Sequence, residues 1–298
     1  MLLREVQDFR NLDLLARQVV EGFINGLHRS PHHGFSVEFA EHRPYNPGES
    51  VRYLDWKLYG RTDRMFIKRF QEETNLRCRI LIDTSASMHY PDAGKPKLHF
   101  SVLSAAAVLL MLRRQRDAFG VTTFGEKILS ESPIRSTPSH FDALLHQLGQ
   151  ILEQPAPSGG SRIATLLHEI AEKEHRRSLI LLFTDLFADE PDETLFEALQ
   201  HLKYGQNEVI IFHVTDRSRE LELQFDNRPY KFTDMESGDE IKLQAEEFRE
   251  AYAAGMAQML ESMRTRCRQY RIDFVEADTA GDFRQVLLPF LMKRQRMF

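Results

Sequence analysis

Apolar residues along this chain fall into short continuous runs, separated by longer segments in which they recur every three or four positions. The runs are Arg79-Ile-Leu-Ile-Asp83, Phe119 to Phe124, Leu179-Ile-Leu-Leu-Phe183 and Val209-Ile-Ile-Phe-His-Val214. Each predicts a strand buried on both faces, as a parallel sheet covered by helices requires. Helical patterns lie between them, at about residues 97–116, 141–152 and 193–202. The alternation predicts an α/β, doubly wound, mostly parallel sheet flanked by helices, running from about residue 75 to the end. The most apolar stretch, Val102 to Leu112, stops at Arg113 and Arg114. That is well short of the roughly 20 residues that cross a bilayer, so it predicts a buried helix and no membrane span.

The flanks read differently. Leu14, Leu15, Val19, Phe23 and Leu27 share a helical period after Asn11, a candidate cap. From His28 to about Tyr59, Pro31, Gly34, Pro44, Pro47 and Gly48 interrupt any long element and predict a loop-rich segment. Residues 1–74 are therefore expected as an N-terminal helix and loop-rich segment packed on a main domain of residues 75–298. Within that domain, an inserted β-hairpin is expected at about 228–243, turning at Ser237-Gly238-Asp239. A long helix over 245–266, a strand over 270–275 and a terminal helix over 282–294 complete the pattern.

Composition narrows the function. A formal net charge of -5 disfavours a broadly basic nucleic-acid binder. The two cysteines, Cys78 and Cys267, are far apart and form no Cys-x-x-Cys pair, which excludes a disulfide framework and a cysteine zinc site. With no signal-peptide pattern at the start, a cytoplasmic location is expected. No phosphate-loop or Gly-x-Ser-x-Gly motif is present. His168-Glu169 lacks a second His one turn on and reads as a solvated helix face. Arg43 to Arg69 holds seven basic residues against three acids. This local positive strip suits carboxylates or an acidic partner.

Candidate chemistry concentrates at strand ends. Asp83-Thr84-Ser85-Ala86-Ser87 offers a carboxylate and two hydroxyls from one turn at the carboxyl end of a strand, where open α/β sheets bind ligands. Such oxygens suit Mg²⁺, and equally suit capping of the following turn. The strand Leu179 to Phe183 ends beside Asp185, on the same sheet edge, and Ser158-Gly-Gly-Ser-Arg162 offers a further hydroxyl. The set resembles the metal-ion-dependent adhesion site of von Willebrand factor A domains. That resemblance implies Asp83, Ser85, Ser87, Ser161 and Asp185 as ligands of Mg²⁺, with Mn²⁺ as an alternative, and an acidic side chain of a partner protein at the open position. Ser161 stands where the family has Thr, so Ser161 or Thr165 completes the set, and Leu186 stands where it has Gly.

A second resemblance covers most of the chain. Arg43, Tyr45, Gly48, Glu49, Arg52, Asp55 and Trp56, followed by Arg61, are similar to the signature of the domain of unknown function 58 family. Glu49 replaces the usual Asp. Trp56 is expected to anchor this segment, the alternative being direct contact with a partner. The resemblance implies a non-enzymatic interaction module working with a MoxR-type AAA+ ATPase. The rival is a phosphohydrolase of the haloacid dehalogenase kind with Asp83 as nucleophile. Against that rival, Ser85 stands where those enzymes carry an acid, and a hydroxyl of ordinary pKa is a poor general acid.

Overall fold

The order in which the apolar runs assemble decides where chemistry can sit. The computed structural model describes residues 12, 17, 41–45, 56–69, 76–91, 94–157, 162–187, 192–236, 238–281 and 286. The chain divides into two compact units, residues 27–75 and residues 1–26 with 76–298.

In the smaller unit, strands β1 (Glu41–Pro44) and β2 (Phe66–Arg69) pair antiparallel, with helix α1 (Trp56–Thr62) between them in sequence. These elements lie within and just beyond the Pro- and Gly-punctuated stretch that the sequence reads as loop. Four-residue strands are too short to show a period.

The larger unit runs β3 (Arg77–Asp83), α2 (Lys97–Arg114), β4 (Ala118–Phe124), β5 (Ile128–Glu131), α3 (Pro138–Glu153), α4 (Ile163–Lys173) and β6 (Leu179–Thr184). It continues with α5 (Asp192–Tyr204), β7 (Glu208–Thr215), β8 (Pro229–Thr233), β9 (Glu240–Gln244), α6 (Ala245–Gln269) and β10 (Asp273–Asp278). Six strands form one sheet in the order β10-β7-β6-β3-β4-β5, parallel except for β5 at the edge. This is the expected doubly wound, mostly parallel α/β fold.

Both faces of the sheet are dry, for a reason visible in β3. Ile80 and Ile82 point into a core with α2 and α3, including Val102, Ala105, Leu109, Phe141 and Leu148. Leu81 points the other way, against Ile163 and Leu167 of α4 and, on the same face, Leu199 of α5. Alternate residues thus serve opposite cores, and the run must be apolar throughout. Helix α2 is buried along nearly its whole length and ends in Arg113 and Arg114, where the helix dipole favours cations. Leu109, fully buried, illustrates the stakes: its truncation to Ala would cost about 2–5 kcal/mol.

In the larger unit, two elements depart from the sequence reading. β5 was not anticipated, being a four-residue edge strand with alternate residues exposed. The last strand begins at Asp273 instead of Tyr270. α6 continues to Gln269, and Arg271 takes a left-handed φ of 54° to leave it. The hairpin appears as expected, with Thr233 opposite Glu240. Of the expected terminal helices, only Leu12, Arg17 and Val286 lie among the described residues. Leu12 is buried in the α2 core.

Candidate functional site

In this sheet the chain leaves β3 toward β4 on one side and leaves β6 toward β7 on the other. β3 and β6 are adjacent, so their carboxyl ends flank the topological switch point, where ligands bind in such folds. Asp83 is the last residue of β3, and Thr184 is the last of β6. Thr184 Oγ1 donates to Asp83 Oδ2 at 2.8 Å, and the Ser85 amide donates to Asp83 Oδ1 at 2.9 Å. Thr84 ties the turn to β4 by bonds from its amide and hydroxyl to the Phe124 carbonyl, both 2.8 Å. These contacts turn Ser85 and Ser87 to one side, with their hydroxyl oxygens 3.2 Å apart. Burial, then the charge of Asp185, pushes the Asp83 carboxyl up to about 6, partly offset by the bonds from Ser85 and Thr184.

Asp185 has a partner that the sequence reading missed. Lys97, the first residue of α2, is fully buried, and its Nζ donates to Asp185 Oδ2 at 2.7 Å and to Glu220 Oε1 at 2.5 Å. Asp185 Oδ1 accepts from the Phe187 amide at 3.1 Å, and Glu220 Oε2 from the Asp216 amide at 2.7 Å. Burial alone would lower the Lys97 pKa, but the carboxylates of Asp185 and Glu220 outweigh it and the ammonium is held above its ordinary value. Burial raises Glu220 against the opposing pull of Lys97. His213 Nε2 lies 3.0 Å from the Asp185 carbonyl, and burial lowers the pKa of this imidazole.

The signal for Lys97 was present in the sequence. A cation at a helix N-terminus opposes the dipole, and here it opens the most apolar helix of the chain, so it requires buried acids. Glu220 and Glu236 left no comparable trace, because each lies in a polar connection far from Asp83 in sequence.

The oxygen set can be tested against a divalent cation. Neighbouring ligands around octahedral Mg²⁺ at 2.0–2.1 Å lie about 2.9 Å apart. The Ser85 and Ser87 hydroxyls are spaced close to that, with Asp83 behind them, and this half of the expected set fits. Asp185 differs from the expectation, since Lys97 neutralises it. Ser161 lies outside the described residues; Thr165 is on the first turn of α4 and exposed. Among the described residues, no group of three or more His, Cys, Asp or Glu is placed to hold a metal ion. The candidate site therefore rests on hydroxyls and one carboxylate.

Of the signature residues, Arg43 lies in β1 opposite Ile67, and the Tyr45 amide donates to the Met65 carbonyl at 2.9 Å. Gly48, Glu49, Arg52 and Asp55 lie outside the described residues. Arg61 is exposed. Trp56 packs edge-on to Tyr59 and is 62% exposed. His168 is not on a fully solvated face either; it is half-buried, with Nδ1 3.0 Å from His201 Nδ1.

Fold and site together define a doubly wound α/β protein with an oxygen-lined turn at its switch point. The chain belongs to the family described as protein of unknown function DUF58, which matches residues 41–262. Curated relatives include uncharacterized proteins of Mycobacterium tuberculosis and Mycobacterium bovis, 25% identical over 176 residues. The match covers 59% of this chain and 55% of theirs, so the chain spans about half the length of the curated relatives it matches. Among solved structures, it is similar to the conserved hypothetical protein BatB of Bacteroides thetaiotaomicron (14% identity, TM-score 0.47, 74% of this chain and 99% of that one). It is also similar to a von Willebrand factor type A protein of Catenulispora acidiphila (16% identity, TM-score 0.36, 48% and 34%). No helix among the described residues is long and apolar enough to cross a membrane.

Proposed function

We propose that this protein is a non-enzymatic, Mg²⁺-dependent protein-interaction module that takes an acidic side chain of a partner at the Asp83–Ser87 turn. The observation that carries the reading is the pair of Ser85 and Ser87 hydroxyls, 3.2 Å apart and backed by Asp83 at the switch point. Ser85 and Ser87 would hold the cation directly and Asp83 behind them through water, with Ser161 or Thr165 as a further donor and Mn²⁺ as an alternative metal. A bound divalent ion supplies a position that a carboxylate can complete. Lys97 pairs with Asp185 beside it, which offsets part of the repulsion between Asp185 and Asp83. The partner implied by family resemblance is a MoxR-type AAA+ ATPase.

The phosphohydrolase reading requires Asp83 to attack phosphorus. That carboxylate is 1% exposed, and both its oxygens already accept hydrogen bonds. No observation favours this alternative.

The test is a pull-down of the ATPase by wild type and Asp83→Ala, with Mg²⁺ and with EDTA, beside calorimetry with Mg²⁺ and Mn²⁺. Wild type should bind the metal and retain the ATPase only without chelator. Retention of the ATPase by a folded Asp83→Ala variant would refute the proposal.

A further inference from the structure

At a hairpin tip exposure is the ordinary state. At the tip of the β8–β9 hairpin, Thr233 and Asp234 are exposed, but Met235 and Glu236 after them are half-buried. The turn holds itself in this shape. The Asp234 amide donates to the Asp239 carbonyl at 2.8 Å, the Gly238 amide to the Asp234 carbonyl at 2.9 Å, and the Glu236 amide to Asp234 Oδ1 at 2.8 Å. Gly238 supplies a φ of 78°, which glycine adopts without a Cβ penalty. Glu236 is thereby turned inward, and Ser87 Oγ donates to its Oε1 at 3.3 Å. Beside the contact lies a cavity of about 390 Å³, walled by Tyr90, Phe187, Phe232 and Tyr252 and also lined by Met235 and Arg219.

We infer that Asp234-Met235-Glu236 is a built-in occupant of the Ser85–Ser87 site. The partner recognised there is an acidic peptide segment with an apolar residue beside its carboxylate, and it binds by displacing the hairpin tip. This rests on the reading of the turn given under Proposed function and adds the chemistry of the ligand and the competition for it.

Three observations support it. The hydroxyl assigned to the ligand face already donates to a carboxylate of the chain itself. The residue preceding that carboxylate, Met235, lines an aromatic cavity, so the site accommodates an acid and an apolar side chain together. Arg219 lies in the same cavity, 43% exposed and 3.9 Å from Asp216 Oδ2, and adds positive charge for an acidic segment. The hairpin is also able to move. Among the described residues, β8 and β9 pair only with each other, so the tip can swing away without breaking the six-stranded sheet.

A tethered occupant acts at an effective concentration in the millimolar range, which a free competitor must overcome. The experiment titrates a fluorescent peptide copying residues 233–238 into wild type, Glu236→Gln and Ser87→Ala, with Mg²⁺ and with EDTA. A further variant, in which residues 234–239 are replaced by Asn-Gly, removes the tip altogether, and thermal melting checks that each protein is folded. Glu236→Gln and the tip-replaced protein should bind the peptide about tenfold more tightly than wild type in Mg²⁺. Ser87→Ala should not bind it, nor should wild type or variant bind a peptide with Gln at the position of Glu236. Equal or undetectable peptide binding by wild type and both tip variants, with Mg²⁺ binding intact by calorimetry, would overturn the hairpin inference and leave the cation reading standing. Loss of Mg²⁺ binding from all of them would overturn both.

Discussion

The Lys97 ammonium lies 2.7 Å from the Asp185 carboxylate, and neither side chain has any solvent exposure. Glu220, the second acid on Lys97, is itself mostly buried, so one cation serves two acids. Removing one partner of a buried pair leaves uncompensated charge, at about 3–5 kcal/mol. Lys97→Met should therefore lose about that much stability in urea unfolding, and Asp185→Asn added to it should recover part of the loss. A loss below about 1 kcal/mol in the single variant would show that the triad does not stabilise the fold.

Leu186 follows Asp185 with a left-handed φ of 57°. A side chain in this region costs about 1–2 kcal/mol. At an ordinary site Gly is worse than Ala; here the order should reverse. Leu186→Ala loses packing against the α4 and α5 core and keeps the strain, whereas Leu186→Gly loses packing and relieves it. Thermal melts should place Leu186→Gly above Leu186→Ala by about 1 kcal/mol, and the opposite order would refute the account.

Ser85→Ala and Ser87→Ala separate ligand chemistry from folding. The Ser85 amide donates to Asp83 Oδ1, and that bond survives loss of the hydroxyl. Both variants should stay within about 1 kcal/mol of wild type in stability, while Mg²⁺ affinity by calorimetry falls at least tenfold. Unchanged affinity in both would remove the hydroxyls from the site.

Cys267 is fully buried, and burial pushes its thiol up to about 12, with Arg266 opposing. The unfolded chain releases that proton near the ordinary value of 9.0. The folded state thus holds the proton longer, and the stability this adds is complete below pH 9 and lost as pH rises toward 12, at up to about 1.4 kcal/mol per pH unit. Cys267→Ala should flatten the decline between pH 9 and 10. Native protein should also react with iodoacetamide at pH 8.5 only as fast as it unfolds; rapid labelling of Cys267 would contradict its burial.

The sheet and its helices were legible in the sequence, because strands such as Ile80 to Ile82 serve two cores and must be apolar throughout. The Asp83–Ser87 turn was legible too, since strand, acid and hydroxyls are contiguous. What surrounds it was not. Lys97, Glu220 and Glu236 reach the site from three separate parts of the chain, and spacing along the chain carries no record of such meetings. β5 escaped for a different reason: a four-residue edge strand repeats its pattern only once.

The bond from Thr184 to Asp83 closes a span of 101 residues. The carboxylate at the candidate site is thus not held in place until the two central strands have met across a third of the chain. Pairings of such long range form late and slowly, because loop closure must be met before contacts repay it. In refolding from urea, recovery of Mg²⁺ binding should therefore trail recovery of helical signal, and ligand affinity becomes a clock for completion of the sheet.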